Sequence, residues 1–244
     1  MMKLKDQVVF ISGSSRGLGA RMAVRFAAEG CKVILNGRKG IPDELIDQIN
    51  EYGVQYATVL GDISKAEDVK RMTKEAFDAF GRIDILVNNA GITKDTLLVG
   101  MKEADFEQVI NVNLKGTFLM TKLFMKRMNK QRSGCIINMA SVVGLHGNVG
   151  QASYAASKAG VIGLMKTTAR EGALRGIRCN CIAPGMIKSD MTDALSDKVK
   201  KQIMEQIPLK RFGTPDDVAD VALFLAKSDY VTGQVISVDG GMTI

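Results

Sequence analysis

One histidine, His146, stands in the whole chain, so a metal centre built from several imidazoles is excluded. The cysteines Cys31, Cys135, Cys179 and Cys181 follow no metal-ligand spacing and sit in apolar, strand-like runs. They read as buried, reduced thiols, and a cytoplasmic setting is expected from them. No apolar run reaches the roughly 20 residues that cross a bilayer, and the opening MMKLKDQVVF has no signal-peptide core. Internal repeats, low-complexity tracts and domain linkers are also missing, so one domain over 1–244 is expected. The net charge of +7 is spread out, without a long basic block or interleaved aromatics. It reads as a solvated surface, and neither a nucleic acid nor a membrane is expected as partner.

What is present is a 46% hydrophobic composition, ample for a core, in which strand-like and helix-like segments alternate. The apolar runs at Val8–Ser12, Cys31–Asn36, Tyr56–Leu60, Asp84–Val87, Cys135–Ala140, Arg178–Ile182 and Gln234–Val238 read as strands. Helical patterns separate them, with Ser64 and Thr214-Pro215-Asp216-Asp217 as helix starts. This alternation predicts an α/β fold, a doubly wound parallel sheet flanked by helices. From Lys188 to Lys210 a polar helical pattern carries Met191, Leu195, Val199, Ile203 and Ile207, as a core helix or a substrate lid.

The first strand runs into Gly13-Ser14-Ser15-Arg16-Gly17-Leu18-Gly19 and then a helical stretch. Strand, glycine turn and helix together make a dinucleotide-binding start, with pyrophosphate at the helix N-terminus. Gly13 permits the turn, and Gly17 and Gly19 let backbone and helix come close. The second strand ends Asn36-Gly37-Arg38-Lys39, without the acid that would hold an NAD ribose. Arg38 and Arg16 suit a 2′-phosphate, so NADPH is the expected cofactor; the alternative is that Arg38 and Lys39 are ordinary loop cations. Asp62 and Ile63 follow the third strand, and Asn88-Asn89-Ala90-Gly91 follows the fourth, where small and amide residues leave room beside the backbone.

The chemistry centres on Ser141 to Lys158. Tyr154 and Lys158 are four apart and share a helix face. A phenol of pKa about 10 is a poor acid–base group at neutral pH, and a nearby ammonium would lower that value. Ser141 ends a strand, where its hydroxyl can bond to a substrate oxygen; Ser153 is placed to cap the helix that follows. Ala155, Ala156, Ala159, Gly160 and Gly163 permit close packing of that helix, on the sheet or on another subunit. Asn113, a poor mid-helix residue, marks either a junction or a catalytic position.

Taken together, these segments closely resemble the short-chain dehydrogenase/reductase family in its single-domain, Rossmann-type form, over essentially the whole chain. The matching residues are the glycine loop at Gly13, Gly17 and Gly19, the N-N-A-G turn at 88–91, Asn113, Ser141, Tyr154, Lys158 and Pro184-Gly185. Ser12 stands where the family usually has threonine, and keeps a hydroxyl. Within the family the chain is most similar to bacterial 3-oxoacyl-[acyl-carrier-protein] reductases.

The resemblance implies NADPH-dependent reduction of a 3-oxoacyl thioester on acyl carrier protein in fatty-acid synthesis. Another carbonyl (acetoacetyl-CoA, a sugar, a small ketone) and a nucleotide-binding regulator without turnover remain alternatives. The intact Ser-Tyr-Lys set argues against the regulator. By resemblance Asn113, Ser141, Tyr154 and Lys158 form the catalytic set. Asn113 holds a water to Lys158, and Lys158 binds the nicotinamide ribose. Gly13 to Gly19, Arg38, Asp62, Ile63, Asn89, Ala90, Gly91, Tyr154, Lys158, Pro184, Gly185 and Ile187 surround the cofactor. Ser141 and Gln151 meet the substrate, Arg132 and Arg175 dock the carrier protein, and the assembly is a homotetramer. Arg175 lies about 30 Å along the helix from Tyr154, so it could meet a carrier but not the reacting carbonyl of its own subunit.

Overall fold

A computed structural model describes residues 3–189, 192 and 196–244. The strands are β1 (Val8–Ile11), β2 (Lys32–Gly37), β3 (Tyr56–Leu60), β4 (Ile85–Asn88), β5 (Gly134–Met139), β6 (Ile177–Pro184) and β7 (Val235–Val238). They form one sheet in the order β3-β2-β1-β4-β5-β6-β7, every pair parallel. The helices are α1 (Gly17–Ala28), α2 (Asp43–Asn50), α3 (Ala66–Phe80), α4 (Glu103–Ile110), α5 (Thr117–Gln131), α6 (Val143–His146), α7 (Ala152–Ala173), α8 (Asp197–Glu205) and α9 (Pro215–Lys227).

A parallel sheet covered on both faces needs strands that are apolar at every position. β1 meets this with Val8, Val9, Phe10 and Ile11, all buried. Alternate residues feed two cores. Val9, Ile11, Val33, Leu35, Ile85 and Val87 meet α1, α2 and α9 through Met22, Phe26, Ile49 and Leu223. Val8, Phe10, Ile34, Leu86 and Ile136 meet α3, α5 and α7 through Met72, Phe124 and Met165. The strand order reverses between β1 and β4. The helices that follow those two strands therefore lie on opposite faces of the sheet, and a crevice opens at its carboxyl edge.

Several local expectations change. Ser64 does not cap α3: the cap position is Lys65, and the Ser64 hydroxyl donates to Asp62 Oδ1 at 2.7 Å. Ser153 does not cap α7 either. That helix starts at Ala152 after Gln151, and Ser153 Oγ is buried without a partner among the described residues. The helical stretch that carries Asn113 is broken by a π-helical turn at Asn111–Gly116, between α4 and α5. No side chain of α8 is buried, so α8 is not a core helix; Ile207, which is buried, lies beyond its end. Met191 and Leu195 of that set fall outside the described residues. Thr214 does cap α9, in a reciprocal capping box with Asp217. The small residues of α7 divide: Gly160 sits so close to Leu114 that a Cβ would fall 2.7 Å from it, whereas Ala156, Ala159 and Gly163 stay exposed.

Candidate active site

The turn after β1 is built for close approach. Gly13 and Gly17 have φ of +62° and +57°, in the left-handed region that favours glycine. At Gly19 a Cβ would lie 2.4 Å from the Gly13 oxygen and 2.5 Å from Asn89 Nδ2. Gly19 thus seats α1 against the β4 loop, while Gly17 faces open space. The α1 cap residue, Arg16, is extended and makes no side-chain cap bond. The first-turn N–H groups of α1 are therefore left for an anion at the helix's positive end.

Buried polar groups lock this turn to its neighbours. Ser12 Oγ accepts from Asn89 N at 3.0 Å and Ala90 N at 3.1 Å, which is why a hydroxyl is needed there. Asn89 Nδ2 donates to the carbonyls of Ser12 and Gly13, both at 3.0 Å. Asn36, inside β2, accepts from Gly13 N at 3.0 Å through Oδ1 and donates to the Val59 carbonyl at 2.9 Å. Its backbone N–H donates to Ser14 Oγ at 2.8 Å. Sequence reasoning passed over Asn36; a buried amide in an otherwise apolar strand was the available signal.

Asn113 occupies the π turn, and its side chain clasps one residue of the β4 loop. Oδ1 accepts from Ile92 N at 2.8 Å, while Nδ2 donates to Ile92 O at 2.9 Å and to Ser157 Oγ at 3.1 Å. The Lys158 ammonium is buried and donates to the Met139 carbonyl at 2.6 Å. Burial lowers its pKa to about 8. A Cβ on Gly91 would come within 3.3 Å of Asn113 Oδ1 and 3.5 Å of Lys158 Nζ. Gly91 therefore leaves the space onto which both polar groups open.

Ser141 follows β5 and is buried, and its Oγ accepts from Val143 N at 3.2 Å. The Ser141 hydroxyl lies close enough to the Tyr154 phenol to act on its ionisation. The expected lowering of the phenol pKa by Lys158 is not seen. Burial raises it, the nearby Ser141 hydroxyl works against that, and the Asp95 charge raises it further. The ammonium lies 5.5 Å from the Tyr154 ring centroid and is turned to Met139. Gln151 is engaged at both ends of its amide, accepting from Asn148 and donating to Asp95 Oδ2, each at 2.9 Å.

Arg38 and Lys39, just beyond β2, border a cavity of about 640 Å³ with Leu60, Gly61, Asp62, Lys65, Asp68 and Arg71. Its two carboxylates are already bonded: Asp62 Oδ1 accepts from Ser64, and Asp68 Oδ2 accepts from Asp62 N at 2.9 Å. Among the described residues the side chains of Arg16, Arg38 and Lys39 have no hydrogen-bond or ion-pair partner. Ile63 turns its side chain into the core, against Gly116, so only its backbone can face a ligand. On the far wall Pro184 accepts from Val142 N at 3.1 Å, Gly185 N donates to Val238 O at 3.0 Å, and Ile187 bridges to Gly213.

Arg132 and Arg175 are close to each other and remote from the rest. A Cβ on Gly176 would lie 2.8 Å from the Arg132 carbonyl oxygen. Both arginines precede their strands, so the length of six-residue β5, about 20 Å, separates them from Ser141. Within one chain they are not at the mouth of the site.

A family model described as enoyl-(acyl carrier protein) reductase matches residues 13–243. The 3-oxoacyl-[acyl-carrier-protein] reductase FabG of Staphylococcus epidermidis is 51% identical over 241 residues, covering 97% of this chain and 99% of that protein. The protein of the same name from Staphylococcus aureus is 50% identical over 236 residues, with 95% and 96% covered. That from Thermotoga maritima is 47% identical over 246 residues, with both chains covered in full. A match that runs from the first glycine of the β1 turn to beyond β7, on a sheet whose two central loops meet at the strand-order reversal, leaves one conclusion: the chain belongs to the short-chain dehydrogenase/reductase family.

Proposed function

We propose that this protein reduces the 3-oxo group of an acyl chain held as a thioester on acyl carrier protein, with NADPH as reductant, as a step of fatty-acid synthesis. One observation carries the chemistry: the Ser141 and Tyr154 hydroxyls lie near each other at the carboxyl edge of the sheet, beside the Lys158 and Asn113 groups that open onto Gly91. The near-half identity to relatives named for that reaction supports the choice of substrate. Paired hydroxyls suit a ketone better than the carbon–carbon double bond in the family description. An alkoxide forming at oxygen needs a donor there, whereas the carbons of a double bond do not.

The residues present fit a nicotinamide dinucleotide, as the family implies. The uncapped start of α1 and the open face at Gly17 suit a pyrophosphate, and the space at Gly91 suits a flat ring and ribose within reach of Lys158. When bound, the nicotinamide supplies the hydride. Ser141 holds the substrate oxygen and stabilises the charge that grows on it. Tyr154 gives that oxygen a proton from its phenol; burial, which keeps the phenol protonated, favours this direction. Lys158 holds the ribose hydroxyls and, once drawn from Met139 towards them, helps the phenol release its proton. Asn113 keeps the Ile92 backbone in place and is set to hold a water that returns a proton to Lys158. The unpaired Arg38 guanidinium and the lack of a free carboxylate at the end of β2 favour the 2′-phosphate of NADPH over NADH.

A homotetramer in the cytoplasm is part of the same reading. It is supported by the exposed small-residue face of α7, and no helix among the described residues is long and apolar enough to cross a membrane. The test is NADPH oxidation with a 3-oxoacyl carrier protein, acetoacetyl-CoA and a panel of sugars and small ketones. The proposal requires the carrier-linked substrate to have the highest kcat/KM; a sugar or ketone ahead of both thioesters overturns it.

A further inference from the structure

β2 outlasts its pairing with β1. The register of the two strands ends at Ile11 and Leu35, yet β2 continues to Gly37. The backbone of Asn36 meets the glycine turn instead of a strand. Ser14 N donates to the Asn36 carbonyl, and the Asn36 N–H donates to Ser14 Oγ, both at 2.8 Å. The Asn36 side chain bonds in two directions. Its Oδ1 accepts from Gly13 N at 3.0 Å. Its Nδ2 donates to the Val59 carbonyl of β3 at 2.9 Å and to Met72 Sδ of α3 at 3.2 Å. Val59 and Met72 belong to the buried core, so the anchor is firm. Asn36 is 2% exposed and Ser14 is fully buried, so neither side chain is open to a ligand.

The two regions that Asn36 joins are different parts of the nucleotide site. One is the Gly13–Gly19 turn, pliable by nature because Gly13 and Gly17 are glycines in the left-handed region. The other is the cavity bordered by Arg38 and Leu60. Arg38 lies two residues beyond Asn36, and Leu60 directly follows its strand partner Val59. We propose that Asn36 is a positioning residue that fixes the pyrophosphate turn relative to the adenosine-phosphate cavity. The inference rests on the nucleotide site proposed above. Bonds already made in the folded protein hold the turn before a ligand arrives, so its ordering is not charged to binding. The gain goes only to a ligand that spans turn and cavity. A ligand confined to the cavity is indifferent to where the turn lies.

The test is ligand binding in wild type, Asn36→Leu and Ser14→Ala, with no carbonyl substrate present. Three probes are titrated: 2′-AMP, which fills the cavity alone; 2′,5′-ADP, whose 5′-phosphate also meets the turn; and NADPH. Asn36→Leu keeps the size of the side chain and removes its bonds. It raises Kd for 2′,5′-ADP and NADPH roughly tenfold, the scale of a lost buried partner, and leaves 2′-AMP within about twofold of wild type. Ser14→Ala removes the acceptor of the Asn36 N–H without touching β2. It gives the same pattern by a smaller factor, and it carries the test where the leucine variant does not fold. Equal weakening of all three probes reduces Asn36 to a structural residue, and no weakening of any shows that the turn holds itself; either overturns the inference. A wild type that binds adenosine and 5′-ADP as tightly as 2′-AMP and 2′,5′-ADP unseats the choice of NADPH instead, and adenosine against 5′-ADP then tests the clamp in the same way.

Discussion

The Lys158 ammonium donates to the Met139 carbonyl oxygen at 2.6 Å, tying α7 to the last residue of β5. Held there, the amine has a pKa of about 8 against 10.5 in the open chain, because burial penalises its charge. Between those values the unfolded chain binds a proton that the folded chain has released, so stability rises with pH through that window, and below about 8 the cost is present in full. Lys158→Met removes the charge. It should stabilise the cofactor-free protein at pH 7 by up to about 3 kcal/mol, or several degrees of melting temperature, while abolishing turnover. Thermal melts at pH 7 and pH 10 check this. A lower melting temperature at pH 7 would show that the bond to Met139 outweighs the desolvation.

The end of β2 decides cofactor choice. A Cβ at Gly37 would fall 2.6 Å from the Gly40 carbonyl oxygen, so an acid cannot be placed there without moving backbone. The informative change is Arg38→Asp, which puts a carboxylate beside the cavity and removes the free guanidinium. It should cut kcat/KM with NADPH at least tenfold and leave NADH less affected, because a charge-assisted phosphate contact is lost. Kinetics with both cofactors decide; a wild type that prefers NADH would show that the cavity does not read a phosphate.

Asn113 satisfies both backbone groups of Ile92, and its own amide is buried. Asn113→Ala leaves that N–H and C=O without partners and should cost about 1–3 kcal/mol. Hydrogen exchange at Ile92 should speed up while exchange in β1 stays slow. Unchanged exchange at Ile92 would mean that another group holds the loop.

Arg132 and Arg175 belong to the opposite end of the sheet from Tyr154, so they can serve a carrier protein only at a neighbouring subunit's site or through the carrier's arm. Arg132→Glu with Arg175→Glu should raise KM for a carrier-linked substrate, leave acetoacetyl-CoA nearly unchanged, and lose its effect in high salt. Equal losses on both substrates would point to damage at the β5 and β6 starts instead.

The sheet and its central crevice could be read from sequence because their signals are local. Apolar runs of four to eight residues mark buried parallel strands, and the glycines at 13, 17 and 19 follow one of them directly. Tyr154 and Lys158 could be read because helix geometry fixes their shared face. What could not be read depends on tertiary partners. Ser153 has the chemistry of a cap, yet the backbone enters the helix one residue earlier, and its hydroxyl ends buried. Asn113 pointed to a junction, but its partner Ile92 is 21 residues away. Asn36 and Asp95 act through partners 23 and 56 residues distant, and no periodicity reports such pairs. The direction of the Tyr154 pKa escaped for a related reason: a lysine four residues away on a helix is close, but the Met139 carbonyl takes its ammonium.

The central claim is that the Ser141–Tyr154 pair protonates a 3-oxo group at the expense of NADPH. The most direct measurement is the single-turnover rate of NADPH oxidation with a 3-oxoacyl carrier protein, in wild type and in Tyr154→Phe. Only a hydroxyl is removed, so the variant should fold and bind NADPH as before, with a rate about a hundredfold or more lower. A phenylalanine variant within a few-fold of wild type would contradict the account, as would a wild type that leaves NADPH unoxidised with this substrate.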